Sequence, residues 1–167
     1  STGAPAACEE EGVPCVGYNI DMIPTAPNTA LTSPTNNWGP YYTYAVQSVI
    51  DGTAIDTDWS QGLADGSCLI TPLNEATIAE GTAEKVAEVE EAIKSGSLHV
   101  FDTTTFTVDG SSLEDYIAAH ADEFAEGGAY QFMDTHVADG YFHESEPTSA
   151  PAFAMIIDGI TSVTQEN

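Results

Sequence analysis

Apolar positions along the chain recur with helical spacing in several segments. Helices are predicted over residues 4–11, 41–51, 83–95 and 112–124. Segment 41–51 has the clearest pattern, because its apolar side chains recur at i, i+3, i+4, i+7 and i+8. They are Tyr42, Ala45, Val46, Val49 and Ile50. Such a stripe is typical of a helix that packs one face against other elements.

Shorter apolar runs lie between these segments and have the length of strands. They occupy residues 13–19, 30–33, 67–71, 99–102, 104–108 and 152–158. Helices and strands therefore alternate, which favours an α/β fold with a mainly parallel sheet flanked by helices. The length of 167 residues fits a single domain with a hydrophobic core.

The charge balance excludes two classes of partner. The chain has 27 acidic residues and two lysines, Lys85 and Lys94, and its formal net charge is −25. Binding to nucleic acid requires a positive patch, as does attraction to anionic lipid, so neither is expected. No apolar run reaches the roughly 18 residues of a membrane helix, so direct membrane insertion is not expected either. The sequence has no initiator Met or signal peptide, which leads us to expect a secreted, processed chain.

Most of the carboxylates lack a cationic side chain as a partner. Their mutual repulsion destabilises a compact chain at low ionic strength, and concentrated salt screens it. We therefore expect an extracellular or cell-surface protein from a saline or alkaline medium, or from one rich in divalent cations such as calcium, which can bind at its surface. An ordinary acidic secreted protein is the alternative.

Motifs for enzymatic chemistry are missing. The sequence contains no P-loop, no dinucleotide-binding glycine motif, no nucleophile elbow and no HExxH zinc motif, so an enzyme is not expected. His136 and His143 lie near Asp134, Asp139 and Glu144 and can form a metal site, but such proximity is expected by chance in so acidic a chain. No cofactor is predicted, and the metal state stays open.

Two other groups of residues leave alternatives open. Cys8 and Cys15 are a candidate disulfide, although they and Cys68 can equally be small buried hydrophobes. The aromatic cluster that begins at Trp38 can stack on a base or sugar, or can anchor a helix against the sheet.

Several of these segments carry a family resemblance. The chain contains, in order, TG…EEEGVPCVGYNID…LTSPTNNWGPYYTYAVQSVIDGT…W…GLADG…LITPLN…EKVAEVEEAIKSGSLHVF. This order resembles the C-terminal half of the basic membrane protein (BMP) family, whose members are purine-nucleoside-binding lipoproteins of ABC importers. The resemblance implies a type I periplasmic binding protein fold. It further implies that residues 1–167 form one BMP-like lobe. Residues 1–108 are the best-matching core of this lobe, and residues 109–167 are a divergent tail.

The resemblance also implies ligand-binding residues, and here the sequence departs from the family. Relatives typically read GVDSDQ where this chain has Asn19, Asp21 and Met22, and TSxxKN where it has Asn36. The ligand-binding positions that the resemblance implies are therefore Asn19, Asp21 and Asn36, and Trp38 of the aromatic cluster is a further candidate. A full member closes two lobes on its ligand, so a separate chain that supplies the first lobe is a further expected partner.

The resemblance implies that residue 1 lies in the loop that follows a core strand of the second lobe, so we expect that strand to be missing from this lobe. A lobe without it leaves a sheet edge and apolar surface to be covered. The run over 152–158 can fill that position in its own chain or be donated to a neighbour, through Phe153, Met155, Ile156 and Ile157. Donation predicts a homo-oligomer or polymer, and the first function that we expect is a self-assembling structural subunit of a filament, tube or layer. The alternative is a nucleoside- or solute-binding component, or a fragment of one, of an ABC importer.

Overall fold

The computed structural model describes residues 2–131, 133, 136–144, 146 and 153–161. Its helices are α1 (Gly3–Glu11), α2 (Gly39–Asp51), α3 (Thr82–Lys94), α4 (Leu113–Ala119) and α5 (Ala121–Phe124). Its strands are β1 (Pro34–Asn36), β2 (Cys68–Ile70), β3 (Thr107–Val108), β4 (Ser111–Ser112), β5 (Val137–Ala138) and β6 (Tyr141–Phe142). The predicted mixture of helices and strands is confirmed. The helix predicted over 112–124 is divided at His120 into α4 and α5.

The chain divides into two compact units. The first comprises Ser1–Asp56 with Gln61–Leu98, and the second comprises Thr57–Ser60 with His99–Asn167. The expected single lobe, with its core over 1–108 and its tail over 109–167, rests on sequence resemblance and stays a prediction. Among the residues that the structure describes, no helix is both long enough and apolar enough to cross a membrane.

A short parallel ladder organises the first unit. Cys15 N donates to Thr29 O and Leu31 N donates to Cys15 O, both at 2.9 Å, which makes a parallel bridge. Farther along, Asn19 N donates to Pro34 O at 2.8 Å. The two runs predicted as strands over 13–19 and 30–33 therefore lie side by side and point the same way.

The strands β1 to β6, however, form three two-stranded antiparallel sheets. The expectation of a mainly parallel sheet is therefore wrong for these strands. β1 pairs with β2, β3 with β4 and β5 with β6. The last two pairs are hairpins closed by Asp109-Gly110 and Asp139-Gly140, where all four φ angles are positive, between 51° and 83°. Two-residue turns of this kind can only join antiparallel strands, whereas a parallel pair needs a long crossover.

Each unit has its own small core. In the first unit Met22, Ala26 and Ala30 are buried, and Cys15 and Ile23 pack against them. The core of the second unit is built from larger side chains, namely Val108, Leu113, Phe124, Met133 and Met155. The second unit therefore buries its apolar residues more completely than the first.

The run predicted as a strand over 152–158 packs within its own unit without forming one. Ala152 lies outside the described residues, and 153–158 carry no strand pairing. Met155 is buried in the core of the second unit, Phe153 and Ile157 pack against that core, and Ile156 is 54% exposed. Phe153, Met155 and Ile157 thus pack into a core to which α4 and β3 also contribute, and residues 153–158 add no strand to any sheet that the structure describes.

Candidate functional site

The sequence-predicted binding residues lie where the parallel ladder ends. Asn19 closes one side of the ladder, and its carbonyl accepts a 2.6 Å hydrogen bond from the Thr35 hydroxyl. Thr35 belongs to β1, which ends one residue later at Asn36. Ligands of α/β proteins bind beyond the carboxyl ends of parallel strands, and Asn19 stands at such an end. Asn36 ends β1, which lies beside Asn19 on one side and pairs antiparallel with β2.

Backbone geometry at Asn19 turns the chain away from the ladder. Its φ is +71°, in the left-handed region that Asn tolerates better than most residues. Two residues later, Asp21 Oδ1 accepts a 2.9 Å hydrogen bond from Ile23 N. The Asp21 carboxylate therefore holds the following turn, which gives it a local structural role within its own loop.

Asn37 positions the start of α2, and the sequence reasoning did not single it out. Its backbone N donates to Ser67 O at 2.8 Å, and its side-chain amide donates to Gly66 O at 3.0 Å. Its Oδ1 accepts from Gly39 N at 3.1 Å. Asn side chains commonly bond to the backbone two residues on, so an Asn two positions before a Gly-Pro helix start was the available signal.

The aromatic cluster at the start of α2 lies at the surface. Trp38 stacks on Tyr42, with ring centroids 6.2 Å apart and an interplanar angle of 29°. Trp38 is 56% exposed and Tyr42 is 60% exposed. Of the two open alternatives, anchoring against a sheet requires these rings to be covered, so the exposure favours a surface for stacking.

Apart from the Asp21 carboxylate, which is engaged in its own loop, the chemistry of the site is uncharged and polar. Asn19 and Asn36 offer amide donors and acceptors, and Trp38 offers an aromatic face. The two lysines of the chain are engaged on α3, where Lys85 pairs with Glu88 at 2.7 Å and Lys94 with Glu90 at 3.7 Å. A planar, uncharged, hydrogen-bonding ligand fits this set of groups better than a phosphate does.

The cysteines that the sequence singled out are neighbours. Cys8, Cys15 and Cys68 are free thiols in the structure. Burial raises the pKa of the Cys15 thiol, and a hydrogen bond with Cys8 acts in the same direction. The contact between Cys8 and Cys15 agrees with the predicted pair, and their oxidation to a disulfide stays a prediction.

Two histidines of the second unit, His99 and His143, form a ring stack with Tyr141. Tyr141 lies between His99 and His143, with centroid distances of 3.5 Å and 3.8 Å. His143 Nδ1 lies 2.6 Å from a Glu146 oxygen, and His136 Nδ1 lies 2.9 Å from His143 O. Within the described ranges, no group of three or more His, Cys, Asp or Glu side chains is placed to hold a metal ion. Asp134, one member of the possible metal site, lies outside those ranges, and surface calcium stays a prediction.

The chain is similar to a known purine-binding protein and to a solved solute-binding protein structure. No protein-family model matches the chain. A purine-binding protein of Brucella abortus (strain 2308) is 36% identical over 112 residues, which are 66% of this chain and 31% of the relative. The chain thus spans about a third of the length of that relative. An ABC transporter solute-binding protein from Conexibacter woesei DSM 14684 superposes with a TM-score of 0.42 and 17% identity, over 59% of this chain and 34% of that one.

The relative is a purine-binding protein by name, which agrees with the expected non-enzymatic role. The 36% identity to a purine-binding protein is consistent with the binding-protein resemblance that the sequence motifs indicated.

Proposed function

We propose that this chain is a solute-binding component, or part of one, of an ABC importer, and that its ligand is a purine base or nucleoside. The 36% identity to a purine-binding protein over 112 residues supports this reading. The motif order supports the finer assignment to the C-terminal half of the BMP family. Solute-binding components act outside the cytoplasmic membrane, so the proposal agrees with an extracellular or cell-surface location.

The exposed aromatic pair of Trp38 and Tyr42 is the observation that indicates the class of ligand. A purine is flat and presents several hydrogen-bonding atoms at its edge. Trp38, backed by Tyr42, offers a face for stacking, which contributes about 1–3 kcal/mol per base in other proteins. Asn19 and Asn36 supply amides that can both donate and accept at the edge of the base.

We expect the isolated chain to bind a purine weakly, because it spans only part of the length of the purine-binding relative. Good small-molecule sites bury most of the ligand, which requires walls on opposite sides. This chain matches 31% of the purine-binding relative, so the remaining wall has to come from elsewhere. We expect the isolated chain to bind purines with a Kd on the order of 1 mM, and more tightly when a first-lobe chain is present.

Isothermal titration calorimetry with inosine, guanosine and hypoxanthine tests the proposal. We expect saturable heat with the wild-type chain and at least about tenfold weaker binding after Trp38→Ala or Asn36→Ala. Gln47→Ala is the matched control, since Gln47 lies on α2 and its amide bonds only to the neighbouring Asp51. Absence of purine binding by the wild-type chain at millimolar ligand, or equal weakening by the control, would contradict the proposal.

The structural-subunit function has weaker support than solute binding. Its proposed donor segment packs Met155, Phe153 and Ile157 into its own unit, which leaves Ile156 as the exposed member. The relative is a binding protein, which favours solute binding over a filament, tube or layer. Assembly into a polymer and a saline habitat remain predictions from charge and sequence.

A further inference from the structure

Helix α2 carries an apolar face that nothing in its own unit covers. The side chains of Tyr42, Val46, Val49 and Ile50 are between 59% and 71% exposed. We call these four side chains the α2 stripe. Their spacing of four, three and one residues places them along one side of the helix. Ser48 is the buried residue of α2, so the helix meets its own unit through a polar side chain and turns its apolar side outward.

The α2 stripe also lies in the least charged part of the sequence. Residues 22–50 contain no Asp, Glu, Lys or Arg, although the chain as a whole has a net charge of −25. The first acidic residue after the stripe is Asp51, at the end of the helix. Contiguous exposed apolar surface that is free of charge is typical of a protein contact.

The charge distribution indicates which partner fits this surface. A basic protein would be attracted to the many carboxylates elsewhere on the chain and gains nothing from a neutral stripe. A second copy of the chain is repelled by those same carboxylates and can approach only where they are missing. The α2 stripe is such a place, and the second copy presents the identical neutral surface.

We propose that the α2 stripe is a dimer interface, at which α2 packs against α2 of a second copy about a two-fold axis. In such an interface each residue meets its symmetry partners, so one apolar stripe is complementary to itself. The 13 residues of α2 give a helix of about 20 Å, long enough for its ridges to interlock with those of the partner. Val46, Val49 and Ile50 form the centre, and Tyr42 lies toward the end that carries Trp38.

The proposed dimer has a salt dependence opposite to that of a charge-paired complex. Two chains that each have a net charge of −25 repel each other. This repulsion acts over about 30 Å at 10 mM salt and over only about 3 Å at 1 M salt. The apolar contact itself does not weaken in sodium chloride. Raising the salt concentration should therefore lower the dimer Kd, by about tenfold or more across this range.

Sedimentation velocity of the wild-type chain at about 10 mM and 1 M sodium chloride tests the interface. We expect a monomer in low salt and a dimer in high salt. Val49→Glu should abolish the dimer, and Val46→Ala, which keeps the helix, should raise its Kd several-fold. Val100→Glu is the matched control, since Val100 is 64% exposed, belongs to the second unit and should leave the dimer intact.

Three outcomes would overturn the proposal. If the wild-type chain stays monomeric in high salt, the α2 stripe is not a dimer interface and binds another partner, such as a first-lobe chain. A dimer or polymer that survives Val49→Glu in a chain with unchanged circular dichroism places the contact elsewhere. Equal loss of the dimer in Val100→Glu shows a general effect of added charge.

Discussion

The Thr107 hydroxyl donates a 2.6 Å hydrogen bond to the Asp158 carboxylate, which lies 51 residues farther along the chain. The same carboxylate accepts backbone hydrogen bonds from Asp109 at 3.1 Å and Gly110 at 2.9 Å. In return, Asp158 N donates to Thr107 O at 2.8 Å. One side chain thus ties the segment that carries Met155 to the turn of the β3–β4 hairpin.

Removing this carboxylate should release the segment from the hairpin. In Asp158→Ala, the Thr107 hydroxyl and two turn amides lose their acceptor, and Met155 loses the tether that holds it in the core. We expect amides over residues 153–161 to exchange with deuterium about tenfold faster or more, measured by mass spectrometry. Glu126→Ala is the control, because Glu126 is an exposed carboxylate of the same unit. Unchanged exchange in Asp158→Ala would show that apolar packing alone holds the segment.

The tether should also respond to acid. The hydrogen bond from Thr107, followed by those from the turn amides, holds the pKa of Asp158 below its ordinary value. A lowered pKa in the folded state stabilises the fold above the ordinary pKa of Asp, near 4, and this contribution disappears as the pH falls through the lowered pKa.

Protonation of the other carboxylates relieves repulsion and acts in the opposite direction, so the comparison is made with Asp158→Asn. Urea unfolding between pH 7 and pH 2 should show the free-energy difference between wild type and variant shrinking below about pH 4. A difference that stays constant over this range would contradict the lowered pKa.

Gly17 should tolerate no side chain. A Cβ built there would lie 2.3 Å from Ser33 Oγ and 2.5 Å from Met22 Cγ, inside the parallel ladder that leads to Asn19. Gly17→Ala should therefore lower the free energy of unfolding by about 1–3 kcal/mol, and Ser33→Ala should restore part of the loss. Gly62→Ala is the matched control, since a Cβ at Gly62 meets nothing within 4 Å. Equal urea midpoints for both glycine variants would refute the close approach.

The sequence predicted the helices well because local signals determine where they begin and end. Gly12 and Gly52 follow α1 and α2 in the left-handed conformation, which is a common way for a helix to end. Strand pairing was harder to predict. The Asp109-Gly110 pair is itself typical of a hairpin turn, but the strand arrangement around it depends on partners that the local sequence does not specify.

The site was predicted in part. The family resemblance pointed to Asn19 and Asn36, and the parallel ladder brings the backbone of Asn19 beside β1. Asn37 was missed because its importance lies in bonds to Gly66 and Ser67, which are distant in sequence. The exposure of the α2 stripe could not be predicted either, since periodicity identifies an apolar face but not what covers it.

Salt should stabilise each chain, apart from any effect on association. With a net charge of −25, self-repulsion favours unfolding at low ionic strength, and screening removes it. Calorimetry at protein concentrations that keep the chain monomeric should show the melting temperature rising from about 10 mM to 1 M sodium chloride. Calcium chloride at matched ionic strength separates screening of the charges from binding of calcium between carboxylates. A melting temperature higher than in sodium chloride indicates bound calcium, and an equal melting temperature indicates screening alone. A melting temperature that does not change with salt would contradict the role given to charge.

Fluorescence of a single tryptophan tests the central claim most directly. Trp59→Phe leaves Trp38 as the sole tryptophan of the chain, so its emission reports on the candidate site alone. Inosine or guanosine should quench this emission saturably at millimolar concentration, because the base stacks on the exposed ring, and cytidine should quench it more weakly. Emission that does not saturate with purine nucleosides, or that responds equally to cytidine, would contradict a purine-binding function at Trp38.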